Sequence, residues 1–378
     1  MELTKCKLGE LITQRREKND GSDLPICGVS KDGLIPPKQK DADTSIYNVF
    51  YRDDFIFNPA RMELNSIAIN DMYDRAICSS LYEVFYVHRT DLLLPHYLKL
   101  IIRQKWFTRY CEFLGQGSAR EYCRFGNISE IEIEFPPIEE QQKIVDYNTA
   151  IENRIALKQK INDNLANTEQ LILYQAISKN QTIPLSLNKI AEFIDGDRGK
   201  NYPTFDEFST SGFCLFLNAS NVTSSGFNFD SCMFVTEEKD KIMRNGHLLL
   251  NDIVFTSRGT LGNVALYDKN IKYKNVRINS GMLIIRPKGI NLSPYFIYAL
   301  LKSNYMKSAI EQFRSGSAQP QLPIKDLQNI TFDIPESQNV LDDLEHRFFE
   351  IEETISINKR EIGNLSELAS ILLARLSR

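Results

Sequence analysis

The segment Thr256–Asn263 holds Thr256, Ser257, Arg258, Thr260 and Asn263 within eight residues, beside Gly259 and Gly262. Glycine lets a backbone approach a ligand closely. The polar set matches nucleobase edges, since arginine and lysine suit guanine and asparagine and glutamine suit adenine. A second basic stretch interleaves Lys272, Lys274 and Arg277 with Tyr273, at a spacing that puts Lys272 and Lys274 on one face of a strand. Gln319 and Gln321 belong to a third donor-rich segment, Ser315–Gln321. Towards the N-terminus, Arg61, Ser118, Arg120 and Arg124 occupy comparable places, with Arg15, Arg16, Lys38 and Lys40 as further candidates. Such residues recognise phosphates and base edges; they do not make or break bonds.

No bond-making constellation competes with that reading. An adenine methyltransferase needs an Asn/Asp-Pro-Pro-aromatic turn, and Asn58-Pro59-Ala60 lacks the second proline and the aromatic. A nucleotide-driven motor needs a phosphate loop ending in Gly-Lys-Ser/Thr, which the chain does not contain. The glycines of Asp195–Gly199 read as a turn. His88, His96, His247 and His346 have no metal-ligand spacing, and the seven cysteines form no Cys-x-x-Cys, so reduced, mostly buried thiols are expected.

The elements that must position these residues occur twice. Ile151, Glu152, Ile155, Asn164, Leu165 and Leu173 recur as Ile351, Glu352, Ile355, Asn364, Leu365 and Leu373, an offset of 200. Gly117-Ser118-Ala119 recurs as Gly316-Ser317-Ala318, and Leu8–Ile12 corresponds to Leu187–Ala191. Within each copy, short strands rich in β-branched and aromatic residues come first: Asn48–Tyr51, Phe55–Phe57, Ser66–Ile69 and Leu81–Val87, then Leu248–Leu250, Ile253–Phe255 and Gly281–Ile285. A helix from Pro95 to about Phe113, or from Pro294 to Phe313, follows, then a strand at Ile131–Phe135 or Ile330–Ile334. Segregated strands and helices predict α+β globules. Duplication of a whole unit predicts a pseudo-two-fold, and duplex DNA is a common partner of that symmetry.

Each copy ends in a long helix. In the second, Leu344, Phe348, Ile351, Ile355, Asn358, Ile362, Leu365, Ala369 and Leu372 keep a heptad seam; in the first, Ile144, Asn148, Ile151, Ile155, Lys158, Asn162, Leu165, Glu169 and Ile172 are more polar. Pairing is expected through Ile151, Ile155, Leu165 and Ile172 against Ile351, Ile355, Ile362, Leu365 and Leu372, antiparallel, with Asn358 fixing register. Helices of this length reach roughly 60 Å. The formal net charge of −4 conceals polarity: Lys239–Lys288 carries six lysines and four arginines against three aspartates, whereas Glu336–Glu353 carries seven acids and one arginine. With no apolar run near membrane-spanning length and no signal-peptide core, the chain reads as cytoplasmic.

These residues resemble a known family. Phe135-Pro136-Pro137-Ile138-Glu139-Glu140-Gln141, opening a long helix, resembles the spacer helix of type I restriction-modification specificity subunits. Gly316–Leu322 with Ile324–Leu327 and Phe332–Pro335 resembles the end of a target recognition domain, and Phe57–Met62, Ser66–Asn70 and Gly117–Glu121 resemble one subtype of it. The resemblance spans essentially the whole chain. It implies a non-catalytic subunit with recognition domains at 1–138 and 183–335, and spacer helices at 139–182 and 336–378. It further implies double-stranded DNA and two methyltransferase subunits as partners, with S-adenosylmethionine bound by those subunits and not by this chain. A translocating endonuclease subunit is left open as a further partner. Two rivals come from other classes: a duplicated protein-interaction scaffold that does not bind DNA, and a stand-alone methyltransferase.

Overall fold

A computed structural model describes residues 3–31, 33–37, 43–115, 122–288, 292–313 and 321–375. They form two compact units, residues 1–156 with 363–378 and residues 157–362. Each takes part of both long helices, Ile138–Lys179 and Gln338–Arg375.

In the first unit an antiparallel four-stranded sheet runs Ile12–Arg15, Glu83–Val87, Phe55–Phe57, Ile67–Ile69 in spatial order. In the second, the order Ala191–Asp195, Met282–Pro287, Ile253–Thr256, Val264–Leu266 is the same arrangement. The interior strands Phe55–Phe57 and Ile253–Thr256 are buried throughout, because both faces of the sheet are covered there. Phe55, Phe57 and Phe85 face one core and Ile56 and Val84 another; Ile253, Phe255, Leu283 and Ile285 alternate likewise with Val254, Met282 and Ile284. Burying each such side chain is worth roughly 1.5–3 kcal/mol. Beside this sheet, each unit adds a second one containing a parallel pair, four strands with Ile26–Ser30 beside Arg75–Cys78 in the first unit and three with Cys214–Leu217 beside Val276–Ile278 in the second. A two-stranded ribbon closes each unit, Thr4–Lys7 with Glu132–Phe135 and Thr182–Ser186 with Thr331–Pro335.

The same turn introduces the central strand in both units. Asp53 and Asn251 take left-handed φ of 64° and 70°. The following Asp54 and Asp252 each accept from a backbone N–H three residues back and from an arginine, Arg15 or Arg286. Each carboxylate is almost fully buried, so the paired guanidinium offsets a large desolvation cost.

Several expectations change. The single helix expected from Pro95 is two, Pro95–Ile102 and Lys105–Gly115, and its counterpart is Pro294–Lys302 and Asn304–Phe313. Ser303 adopts extended backbone and its hydroxyl accepts from Met306 N–H, so it ends one helix and caps the next. Leu248–Leu250 is not a strand; Leu249 and Leu250 are exposed.

The seam residues of the long helices are buried or half-buried from Ile144 to Ile172 and from Leu344 to Leu372. Leu157, Ile161 and Leu171, just beside the seam, are exposed. In the second unit Lys158 Nζ donates to Asn358 Oδ1 (2.8 Å) and pairs with Glu361 (2.8 Å), while Asn358 Nδ2 donates to Asn162 Oδ1 (2.8 Å). Further along, Lys302 bridges Glu169 to Glu352. Numbers climb on one helix as they fall on the other, so the pairing is antiparallel. In the first unit Ile144, Tyr147 and Asn148 line one groove with Leu372 and Leu373.

Candidate nucleic-acid interface

In the second unit several strand ends converge on one turn, Asn279–Gly281. Strand Ala191–Asp195 ends beside the point where Met282–Pro287 begins, and Ile253–Thr256 ends there too. Asn279 N–H bonds to Leu217 O, which brings in the end of the parallel pair. Gly196 packs so tightly that a Cβ would lie 2.2 Å from Asn279 O, which explains a glycine at this point of the Asp195–Gly199 turn. Three arginines are anchored around the turn. Arg258 N–H bonds to Gly281 O, and Arg198 Nη2 donates to Ser280 O while pairing with Asp195. Arg244 N–H bonds to Asp197 Oδ2, two residues before Gly246, whose carbonyl accepts from Ile278 N–H. All three side chains belong to exposed residues.

Within the donor segment Ser257–Asn263, Ser257 is buried and Asn263 half-buried, which corrects those two assignments, whereas Arg258 and Thr260 are exposed. Ser257 is 7% exposed and its hydroxyl donates to Gly281 O. Thr260 Oγ1 donates to Ala219 O and Asn263 Nδ2 to Val222 O. These bonds hold the loop in shape, and Arg258 and Thr260 are its exposed polar residues. Gln321, also exposed, pairs with Arg258 through a backbone bridge, and Leu322 N–H bonds to Ser257 O.

Arg277 is a further correction. It is 6% exposed, and its guanidinium is committed to Asp240 and to the carbonyls of Asp240 and Asn245. Strand Val276–Ile278 starts only after Lys272 and Lys274, which are exposed loop residues lining one cleft of about 730 Å³ with Thr210, Ser211 and Ser231. That cleft lies at the start of the parallel pair, whereas Arg258 lies beyond its end. The structure therefore divides the basic candidates of this unit into two sites.

The first unit builds the equivalent end of its sheet with different side chains. Cys123 N–H bonds to Pro59 O, as Leu322 does to Ser257. A cleft of about 1150 Å³ brings Arg61 and Arg124 together with Lys31, Tyr82 and Tyr122. A second, of about 430 Å³, shares Arg124 and Tyr82 and adds Arg16 and Lys18. Glu83, at the start of its strand, accepts from Phe125 N–H (2.7 Å) and pairs with Arg124 (3.3 Å), whose guanidinium also stacks over Tyr122. Arg15, by contrast, is structural: it binds Asp54 and stacks on Tyr51 and Tyr86. Asn58 Oδ1 accepts from Ala60 N–H, so Asn58-Pro59 caps a short helix. Lys38, Lys40, Ser118, Arg120 and Gln319 lie outside the described residues.

Arg198, Arg244 and Lys31 were missed in the sequence. Arg198 sits in the Asp195–Gly199 segment and Lys31 follows an unrecognised strand, Ile26–Ser30, so the signal was a turn next to a base. Arg244 carries no local pattern, and only the fold brings it to the turn. Among the described residues no group of His, Cys, Asp or Glu could hold a metal ion. Burial pushes the Cys78 thiol up, and a hydrogen bond with Cys123, ahead of burial, does the same for Cys111, so neither is an activated nucleophile. Among the described residues, no helix is long and apolar enough to cross a membrane.

Comparison with known proteins adds the following. The model of the type I restriction modification DNA specificity domain matches twice, at residues 6–167 and 185–362. The type I restriction enzyme MjaIX specificity subunit of Methanocaldococcus jannaschii is 22% identical over 303 residues, 76% of this chain and 69% of the relative. The crystal structure of a type I restriction-modification S subunit from M. genitalium superposes with a TM-score of 0.64 at 17% identity, over 99% of this chain and 96% of that one.

Proposed function

The chain belongs to the type I restriction-modification DNA specificity family, as a specificity subunit with two recognition domains, and on that premise we propose how it reads its target. Each domain reads one half of a split DNA sequence with the loops at one end of its four-stranded sheet. Exposed bases on those loops meet phosphates to set register, and outward side chains meet base edges to choose sequence. The two long helices set the gap between half-sites. The subunit is non-catalytic: it presents DNA to two methyltransferase subunits, which bind S-adenosylmethionine, and an endonuclease subunit joins where the assembly also cuts. Such an assembly works on DNA in the cytoplasm.

The observation that carries this reading is recurrence. The segment after the central strand and the segment before Cys123 or Leu322 are tied together by equivalent backbone bonds in both units, Cys123 to Pro59 and Leu322 to Ser257. Exposed arginines emerge beside each tie. The test is co-expression with the methyltransferase subunit and mapping of methylated bases across a genome. A split motif is expected, and Arg61→Ala and Arg258→Ala should each alter a different half of it. Methyl transfer by the purified chain alone, or one contiguous motif, would refute the proposal.

A further inference from the structure

We propose that Arg244 and Arg258 form a guanine-reading pair, so that the half-site read by the second unit contains guanine. This deepens the function proposed above and rests on it. The two residues come from segments 14 positions apart, and the fold brings both to the turn Asn279–Gly281. Their backbones are fixed: Arg258 N–H is held by Gly281 O, and Arg244 N–H by the carboxylate of Asp197, itself 8% exposed. Space around the turn is closed by Gly196 and Gly246, where a Cβ would meet the Asn279 and Ile278 backbone at 2.2 and 3.3 Å.

Their guanidinium groups are available. Among the described residues neither is hydrogen-bonded to a carboxylate or a carbonyl, unlike Arg198, which is tied to Asp195 and Ser280 O, and Arg277, which is buried on Asp240. An immobile backbone carrying an uncommitted planar fork is the arrangement that bidentate recognition of guanine O6 and N7 requires. A phosphate contact would need only the positive charge, which Arg198 supplies while held on Asp195. The structure thus separates a positioning arginine from two reading arginines around one turn.

The experiment uses the complete chain with its methyltransferase subunit and compares Arg244→Ala, Arg258→Ala and Arg198→Ala by genome-wide methylation mapping, with rates on oligonucleotides covering every single-base change of the motif. Arg244→Ala and Arg258→Ala should each relax a guanine position of the same half-site, cutting discrimination there about 10- to 100-fold, while the other half-site stays intact. Arg198→Ala should slow methylation of all sequences with the motif unchanged. Arg244→Lys and Arg258→Lys, which keep a guanine-compatible charge without the rigid fork, should recover part of the discrimination lost in the alanine variants. If both alanine variants methylate the wild-type motif at uniformly reduced rates with a shallower salt dependence, they bind phosphate and the assignment falls alone. If the wild-type complex methylates no split motif, the assignment falls together with the function it rests on.

Discussion

Lys302 and Arg103 occupy equivalent places, at the end of the first helix after the sheet in each unit, and each pairs with the repeated glutamate of a long helix, Glu352 or Glu152. Their surroundings differ. Arg103 and Glu152 meet at 2.6 Å with side chains 38% and 40% exposed. Lys302 is 18% exposed, lies 2.6 Å from a second carboxylate, Glu169, that is wholly buried, and stacks over Tyr298. Removing the ammonium leaves Glu352 without its cation in a buried site, a loss of about 3–5 kcal/mol. Removing the guanidinium from an exposed pair costs about 0–1 kcal/mol. The assay is denaturant unfolding of Lys302→Met and Arg103→Met. Far-UV circular dichroism follows both units, and the single tryptophan, Trp106, follows the first. Hydrogen exchange then locates the loss, expected in Pro294–Lys302 and the adjoining long helices for Lys302→Met. Equal losses in the two variants, or a larger one from Arg103→Met, would refute the argument that burial sets the worth of these pairs.

The same cluster makes stability depend on pH. Burial pushes Glu169 up to about 8, ahead of the opposing pull of Lys302. The folded state therefore keeps a proton that the unfolded chain releases near 4.5. The contribution is complete below that value and is lost as pH rises towards 8, so Glu169→Gln should flatten the fall in unfolding midpoint between pH 5 and 8; an unchanged slope would count against it. Gly196→Ala should destabilise by about 1–3 kcal/mol, because its Cβ would strike Asn279 O at 2.2 Å; unchanged hydrogen exchange at Asn279–Gly281 would contradict the close approach. Joint replacement of Asn162 and Asn358 by leucine, which leaves Lys158 paired with Glu361, should hold the unfolding midpoint, since hydrogen-bonded polar partners exchanged together for apolar ones cost little. Asn358→Leu alone should lower it by about 1–3 kcal/mol, because Asn162 loses its donor. Denaturant titration distinguishes the two outcomes.

How far the sequence carried depended on the range of the signal. The long helices were legible because a heptad seam is local: every residue from Leu344 to Leu372 on that frame is at least half-buried. The central strands were legible from their apolar runs. Of the strands in each unit's second sheet, Asn48–Tyr51 was legible, but Arg75–Cys78 and Val276–Ile278 were not, because they are three or four residues long and gain their identity from a parallel partner about 50 to 60 positions away. The candidate interface divided in the same way. Residue type alone could not tell Arg258, which points out, from Arg277, whose carboxylate partner lies 37 positions back. It grouped Lys272 and Lys274 with Arg258, although three strand residues and a turn intervene.

The divergence between the copies shows which parts of the repeat are constrained. Glu152 and Glu352 are identical and each ties a long helix to its own globule, but position 169 is a buried glutamate where position 369 is alanine, and Phe348 stacks on Phe296 where Asn148 lines an open groove. Packing has therefore been solved twice, with different side chains, around a shared strand order. At the sheet ends the backbone ties are kept while the outward residues differ: Arg61, Arg124 and Tyr122 in one unit, Arg198, Arg244 and Arg258 in the other. A scaffold that needed two identical surfaces would keep those side chains alike. A reader of two different half-sites must keep the frame and change the side chains, and that is the pattern this chain carries.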